Sequence, residues 1–294
     1  MRIKYVEPLF RPPSEANSLI FQITIGCSRN KCTFCGMYKS KHFRVRPVDE
    51  ILAEIESVPV QYRAGVRRVF LADGDALVYP MPGLVNILEA LASTFTNLNR
   101  VGAYASPVSI DGKSEEELEQ LKNLKLGVLY FGLESGDEPT LATVDKGYGT
   151  DDMALLALKA RNAGIKLSVT AILGLAGKVR SLEHARATAA WVNRVNPEYF
   201  SLLTMFHRHN ESFIKGLQLC DRRTLMIEVL EMVRNLNPGK TILRSNHVSN
   251  FLNLAGSYPK DRERLIQDVE SAISRAERSP GFMEEIPGYT EEYY

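Results

Sequence analysis

Only four cysteines and one tryptophan occur in the 294 residues, and three of those cysteines fall within nine positions. So few, so unevenly placed, exclude a disulfide scaffold distributed through the chain. No run of about 18 apolar residues is present, which excludes a membrane-spanning helix by pattern. The opening stretch MRIKYVEPLFRPPSEANSLIF also lacks the continuous apolar segment of a signal peptide, so a cytoplasmic protein is expected. A formal net charge of +1 leaves no global field to hold nucleic acid or an anionic membrane. Neither is an expected partner, and a monomer is the default. Internal repeats and low-complexity segments are missing too.

What is present is the composition of an ordinary globular protein, 45% hydrophobic and 24% charged, with enough apolar residues for one large core. Short apolar runs alternate with longer helical patterns. Leu19 to Ile25 reads as a buried strand, followed by a helix after Pro47, the strand Arg68 to Ala72, and a helix from Pro82 to Phe95. Val101 to Ala105 is strand-like. Ser114 with Glu117 three residues on has the reciprocal capping pattern of a helix start, and the segment leads into the strand LGVLYFGLES. A helix from Asp151 to Asn162 closes at Gly164; Lys166 to Leu173, Leu182 to Val195 and Tyr199 to Met205 read as strand, helix and strand.

Six such alternations by about Arg234 predict an α/β fold in which right-handed crossovers wind a parallel sheet. Two further units of a full eight-fold barrel do not fit in what remains, at about 30 residues per unit. The expected architecture is a partial TIM barrel, an open (β/α)6, with a C-terminal loop and helix extension. The domain expectation is an N-terminal extension over 1–18, the barrel over 19–238, and a cap with a helix over 239–294.

Cys27, Cys32 and Cys35 share one loop directly after a strand end, where parallel α/β folds bind ligands. Three thiolates on a short loop suit an iron-sulfur cluster with one iron open to an outside chelate, which implies catalysis. The same triplet also suits zinc completed by a histidine such as His42 or His247 in a non-catalytic binding module, or a cluster that only carries electrons.

In these residues the chain resembles the radical S-adenosylmethionine (SAM) superfamily. That family's usual cysteine motif has three residues in its first gap and two in its second, with an aromatic before the last cysteine. Here the first gap is four residues, the second is two, and Phe34 is the aromatic. The resemblance extends over roughly residues 19–206 and is nearest to the branch containing methylthiotransferases and oxygen-independent coproporphyrinogen oxidase. It implies a 4Fe-4S cluster on Cys27, Cys32 and Cys35 that cleaves SAM reductively to a 5′-deoxyadenosyl radical. The radical would take hydrogen from an unidentified small-molecule substrate, with a flavodoxin or ferredoxin as electron donor.

The resemblance also implies site residues. Asp73-Gly74-Asp75, at the end of the second strand, stands where the family holds the SAM amino group; a glycine admits close backbone approach and a carboxylate complements an ammonium. Glu134 would face the ribose or amino group and Lys146 the carboxylate. Ile172 would pack on adenine beside Gly174, with Met205 closing that pocket and Ser106 and Thr170 near ribose. Thr170 replaces an acid common in relatives, and Lys178 a glutamate.

Other features carry less. Arg29, Lys31, Lys39, Lys41, Arg44 and Arg46 occur with no acid between them, a basic stretch suited to an acidic electron donor, a substrate anion or plain solvent. His207 follows the sixth strand, where substrate contacts are expected. Asn246, His247 and Asn250 belong to a stretch rich in hydrogen-bonding side chains. It either caps the barrel structurally or, by resemblance to an Asn-His-x-Ser-Asn segment in a radical SAM group of unassigned chemistry, faces the substrate. Cys220 is expected to be a buried core thiol.

Overall fold

The computed structural model describes residues 3–207 and 209–287. Among them are ten strands: β1 Leu19–Gln22, β2 Thr24–Ile25, β3 Arg44–Val45, β4 Arg68–Ala72, β5 Arg100–Ala105, β6 Leu126–Glu134, β7 Lys166–Leu173, β8 Tyr199–Thr204, β9 Thr241–Arg244 and β10 Ala255–Tyr258. Seven longer helices alternate with them: α1 Val48–Glu56, α2 Met81–Thr94, α3 Glu115–Asn123, α4 Thr150–Asn162, α5 Ser181–Val195, α6 Arg222–Asn235 and α7 Arg262–Ala276. Eight strands form one sheet in the order β1-β4-β5-β6-β7-β8-β9-β10, while β2 and β3 pair by themselves. The β1–β4, β4–β5, β5–β6, β7–β8 and β8–β9 pairings are parallel and only β10 returns antiparallel, on β9. This is an α/β fold with the mostly parallel sheet of a partial (β/α) barrel.

Local chemistry explains the helices. Ser114 and Glu117 bond reciprocally across the first turn of α3, satisfying amides that have no partner within a helix. Gly164, at φ +80°, ends the turn after α4 in a conformation that costs a side-chain-bearing residue energy. Along α5 the buried Ala185, Thr188 and Ala189 make a face of small residues, so the helix can approach the backbone it covers closely.

Two expectations change. The strand over Leu19 to Ile25 divides at Ile23, whose amide donates to Ala72 and whose carbonyl accepts from Arg46, so Thr24 and Ile25 leave the main sheet and pair with β3. Part of the stretch after residue 240, expected as loop, supplies β9 and β10. Thr241–Arg244 continues the sheet beside β8, and Ala255–Tyr258 returns along it. The segment between them remains irregular, and residues 288–294 of the expected C-terminal extension lie outside the described residues.

The chain divides into two compact units. The first comprises residues up to Asn30, Met37–Phe131 and Leu156–Leu167. Its core includes Phe70, Ala72, Val128 and Tyr130, with Phe70 edge-on to Tyr104 at 5.0 Å and to Tyr130 at 5.7 Å between ring centroids. Fully burying one such phenylalanine contributes about 2–3 kcal/mol. The second unit comprises Lys31–Gly36, Gly132–Leu155 and the residues from Ser168 on. Val144, Ile172, Leu175 and Met205 form one of its cores, joined by Phe34, Leu203 and Phe213.

Candidate functional site

In the first unit, the end of β4 is an Asp73-Gly74-Asp75 turn beside the loop that carries Cys27. A Cβ on Gly74 would come within 2.8 Å of the Cys27 Cβ and 2.7 Å of the Tyr38 ring, so only glycine fits without displacement. Asp73 is wholly buried and accepts from Gly26 N–H at 2.8 Å, Lys41 Nζ at 2.7 Å and Gln22 Nε2 at 3.1 Å. Asp75, equally buried, accepts from Ser28 Oγ, from Ser106 N–H at 3.1 Å and from Ser106 Oγ at 2.7 Å. Burial raises its carboxyl above the usual range, against the lowering effect of those hydrogen bonds. Both acids thus join neighbouring strand ends to one another. Ser106 also caps the short helix Pro107–Asp111.

Of the six basic residues between 29 and 46, two are buried and paired. Lys41 meets Asp73, and Arg46 meets Glu54 at 2.8 Å and Glu50 at 3.3 Å. Lys31, Lys39 and Arg44 remain exposed and Arg29 half-buried.

In the second unit, β6 ends at Glu134, a non-glycine residue at φ +66°. Its carboxylate lies 2.9 Å from Lys146 Nζ in a largely buried ion pair. Phe34, Ile172 and Met205 meet in one apolar cluster, while Thr170 is half-buried on β7. Gly174 turns off β7 at φ +78°, and its N–H donates to Glu228 Oε1 at 2.9 Å. A cavity of about 10 Å³, the space of a single water, is lined by Leu173, Gly174, Thr204, Met205, His207 and Cys220, among others. Burial lowers the pKa of His207 and raises that of the buried Cys220 thiol.

The 245–250 segment is tied to the end of β8. Ser249 Oγ accepts from Thr204 N–H at 3.0 Å; Asn250 accepts from Thr204 Oγ1 at 2.9 Å and donates to the Leu202 carbonyl at 2.6 Å. His247 Nδ1 accepts from Ser249 N–H at 3.2 Å and lies 2.8 Å from Ser249 Oγ. Because Nδ1 is an acceptor, the neutral ring carries its proton on Nε2. Burial lowers the imidazole pKa and favours that neutral form. Asn246 is exposed.

Sequence reasoning did not find Ser135, His184, Ser181 and Glu228, all buried in the second unit. Ser135 Oγ is 2.7 Å from His184 Nδ1, and Ser181 Oγ bonds Glu228. These residues lie 47–49 positions apart in the pairs they form, so no local spacing announces them. Lys178 pairs with Asp221 at 3.0 Å.

The cluster expectation is corrected by the structure. Among the described residues no group of three or more His, Cys, Asp or Glu side chains is gathered so as to hold a metal ion. The loop is held by its own bonds: Cys35 N–H to the Cys32 carbonyl at 3.3 Å, Thr33 N–H to Val144 at 3.0 Å, and Asn30 Nδ2 to the Tyr38 carbonyl at 2.9 Å. The donor set therefore does not match a 4Fe-4S cluster. The zinc module and the cluster-only electron carrier, which rest on the same triplet, lose their support with it.

The sequence profile of the Radical SAM superfamily matches residues 21–191, more than half of the chain, and the chain belongs to that superfamily. Among individual relatives, a Methanocaldococcus jannaschii protein carrying the provisional name methylthiotransferase is 27% identical over 148 residues, which are 49% of this chain and 32% of that one. Coproporphyrinogen III oxidase of Escherichia coli superposes with a TM-score of 0.55 at 17% identity, covering 74% of this chain and 50% of its own. Methylornithine synthase gives the same TM-score at 14% identity, covering 90% and 81%. The chain thus spans about a third of the first relative and half of the second; the structural likenesses establish the fold.

Proposed function

We propose that this chain is an enzyme of the radical class that binds SAM at the strand ends of its sheet and acts on a small-molecule substrate. Glu134 carries the reading. A left-handed backbone at a residue bearing a Cβ costs about 1–2 kcal/mol, and such strain persists where surrounding structure imposes it, often at ligand sites. Here it sets a carboxylate against Lys146 at the end of β6. A glutamate and a lysine together offer charges complementary to the ammonium and carboxylate of an amino-acid ligand.

Other residues extend the reading within each unit. In the second, Phe34, Ile172 and Met205 offer apolar surface to adenine, Gly174 lets backbone come close, and Thr170 contributes a hydroxyl for ribose. In the first, Asp73, Gly74, Asp75 and Ser106 shape a strand-end turn of the kind that receives an ammonium group. On the substrate side, neutral His247 donates through Nε2, with His207, Asn246 and Asn250 as further contacts. One-electron cleavage of SAM is the chemistry of the family; what the residues of this chain supply is the binding and orientation of SAM and of the substrate. Exposed Lys31, Lys39 and Arg44 give an acidic flavodoxin or ferredoxin charges to meet. No helix among the described residues is long and apolar enough to cross a membrane, and the reading includes a cytoplasmic monomer.

Calorimetric titration of the protein with SAM tests this. Saturable binding that falls about 10- to 100-fold in Glu134→Gln is expected, the scale of a lost charge-assisted hydrogen bond. Failure of the unaltered protein to bind SAM overturns the proposal.

A further inference from the structure

Two left-handed residues end neighbouring parts of the second unit: Glu134 on β6 and Gly174 after β7. Both connect to the same buried chain of side chains. Beside Glu134, Ser135 Oγ accepts from Asp137 N–H at 2.9 Å and lies 2.7 Å from His184 Nδ1 on α5. The other ring nitrogen, Nε2, has no hydrogen-bond partner and faces Glu228 Oε1 on α6 at 3.6 Å. That same oxygen accepts from Gly174 N–H at 2.9 Å, and the second carboxyl oxygen accepts from Ser181 Oγ. Gly136 seals the arrangement: its N–H donates to Thr188 Oγ1 at 2.9 Å, and a Cβ there would collide with the Ala187 carbonyl.

We propose that Ser135, His184 and Glu228 form a buried positioning relay that holds the ends of β6 and β7, and with them Glu134 and Gly174, in the conformation that receives the ligand. None of the three is accessible to a ligand itself, since all are wholly buried. A serine, a histidine and a glutamate in series are costly in such a place, because burying polar groups carries a penalty that apolar residues of similar size avoid. What they provide is direction: Ser135 ties the end of β6 to His184 on α5, Glu228 on α6 ties the turn after β7, and the two halves meet at the 3.6 Å approach of Nε2 to Oε1.

The relay is sensitive to protonation. Burial raises the Glu228 carboxyl to about 7 and lowers the His184 imidazole to about 4, so just below neutral pH both are uncharged. Facing Glu228 are Ser181, the Gly174 amide and the Cys220 thiol, which the Asp221–Lys178 pair also reaches, and facing His184 are Ser135, the Ile172 backbone and Asp137, which Arg180 pairs at 2.8 Å. Among the described residues no permanent cation is in direct contact with the Glu228 carboxyl, so its ionisation places inside the relay a charge that the bonds from Ser181 and Gly174 offset only in part.

Only the nature of the ligand rests on the reading of the chain as a SAM enzyme. The test is amide hydrogen exchange of residues 134–137 and 174, corrected for intrinsic rates, in the full chain from about pH 6 to about pH 8. Protection at both places is expected to fall roughly tenfold across neutrality in the unaltered protein and to stay level in Glu228→Gln, which keeps an acceptor for Gly174. Ser135→Ala, in which Glu228 is intact, should lose the pH dependence at 134–137 and retain it at 174. A level profile in the unaltered protein, or an unchanged slope at 134–137 in Ser135→Ala, overturns the relay. SAM affinity measured on the same samples should follow the exchange profile. Absence of SAM binding alongside the expected exchange profile would refute the SAM reading and uphold the relay.

Discussion

Glu134 and Lys146 form an ion pair at 2.9 Å in which the carboxylate is carried by a left-handed residue at the very end of β6. Strain and charge are therefore located on one residue, and they are separable. Glu134→Gly removes the Cβ that makes φ +66° unfavourable, a gain of about 1 kcal/mol, and it removes the carboxylate that a ligand ammonium would meet. The expected result is a melting temperature within a few degrees of the unaltered protein together with SAM binding weakened by about tenfold or more. Thermal melts paired with calorimetry check it, and retained affinity would remove the carboxylate from the site.

Two glycines differ in what surrounds them. At Gly74 an added Cβ meets the Cys27 Cβ, which moves only with its loop, and the Cε2–Cδ2 edge of the Tyr38 ring. At Gly136 it meets the backbone of Ala187 and Thr188 in α5, which cannot shift without moving the helix. Gly74→Ala should cost about 1–2 kcal/mol and Gly136→Ala about 3 kcal/mol or more, as overpacking against side chain and backbone respectively. Urea denaturation gives the order directly, and a reversed order would refute it.

The buried acid and imidazole give stability opposite slopes with pH. Glu228 titrates near 7 in the folded chain against an ordinary 4.5, so its contribution is complete below about 4.5 and lost as pH rises through 7. His184 titrates near 4 against an ordinary 6.5, so its contribution is complete above about 6.5 and lost as pH falls through 4. The two nearly cancel between about pH 4.5 and 6.5. Glu228→Gln should therefore show stability climbing from about pH 4 to 6.5, and His184→Asn should show it falling from about pH 4.5 to 7. Each change is on the order of 3 kcal/mol. Denaturation midpoints across this range decide, and level profiles in both variants would contradict the assignment.

His247 and Asn250 share a segment but have different work. Asn250 bonds Leu202, Thr204 and Ser245, so Asn250→Ala should lower the melting temperature by several degrees. His247→Ala should leave melting nearly unchanged while reducing substrate turnover by about 10²-fold, the scale of a positioned proton donor. Binding of SAM in the absence of substrate should survive it. A drop in stability equal to that of Asn250→Ala would make His247 a structural cap.

The alternation of strands and helices was legible because it rests on local patterns. Apolar runs marked β4, β7 and β8 nearly residue for residue, Ser114 and Glu117 announced α3, and Gly164 its neighbour's end. Strands β9 and β10 were not legible: four residues each, with polar positions among them, they become strands by pairing with each other and with β8. The sequence also placed Asp73, Asp75, Glu134 and Gly174 at strand ends, where residues meet ligands in folds of this kind.

Which of those groups engage one another was decided by the tertiary structure. Asp73 meets Lys41 from 32 positions away, Asp75 meets Ser106 from 31, and Ser181 meets Glu228 from 47. The cysteine triplet shows the same division: proximity along the chain suggested a shared metal, while the described residues gather no group able to hold one. The physical reason is range. Helix, strand and turn preferences act over a few residues and can be read in order, whereas burial and hydrogen-bond partnership depend on which distant segments the packed core brings into contact.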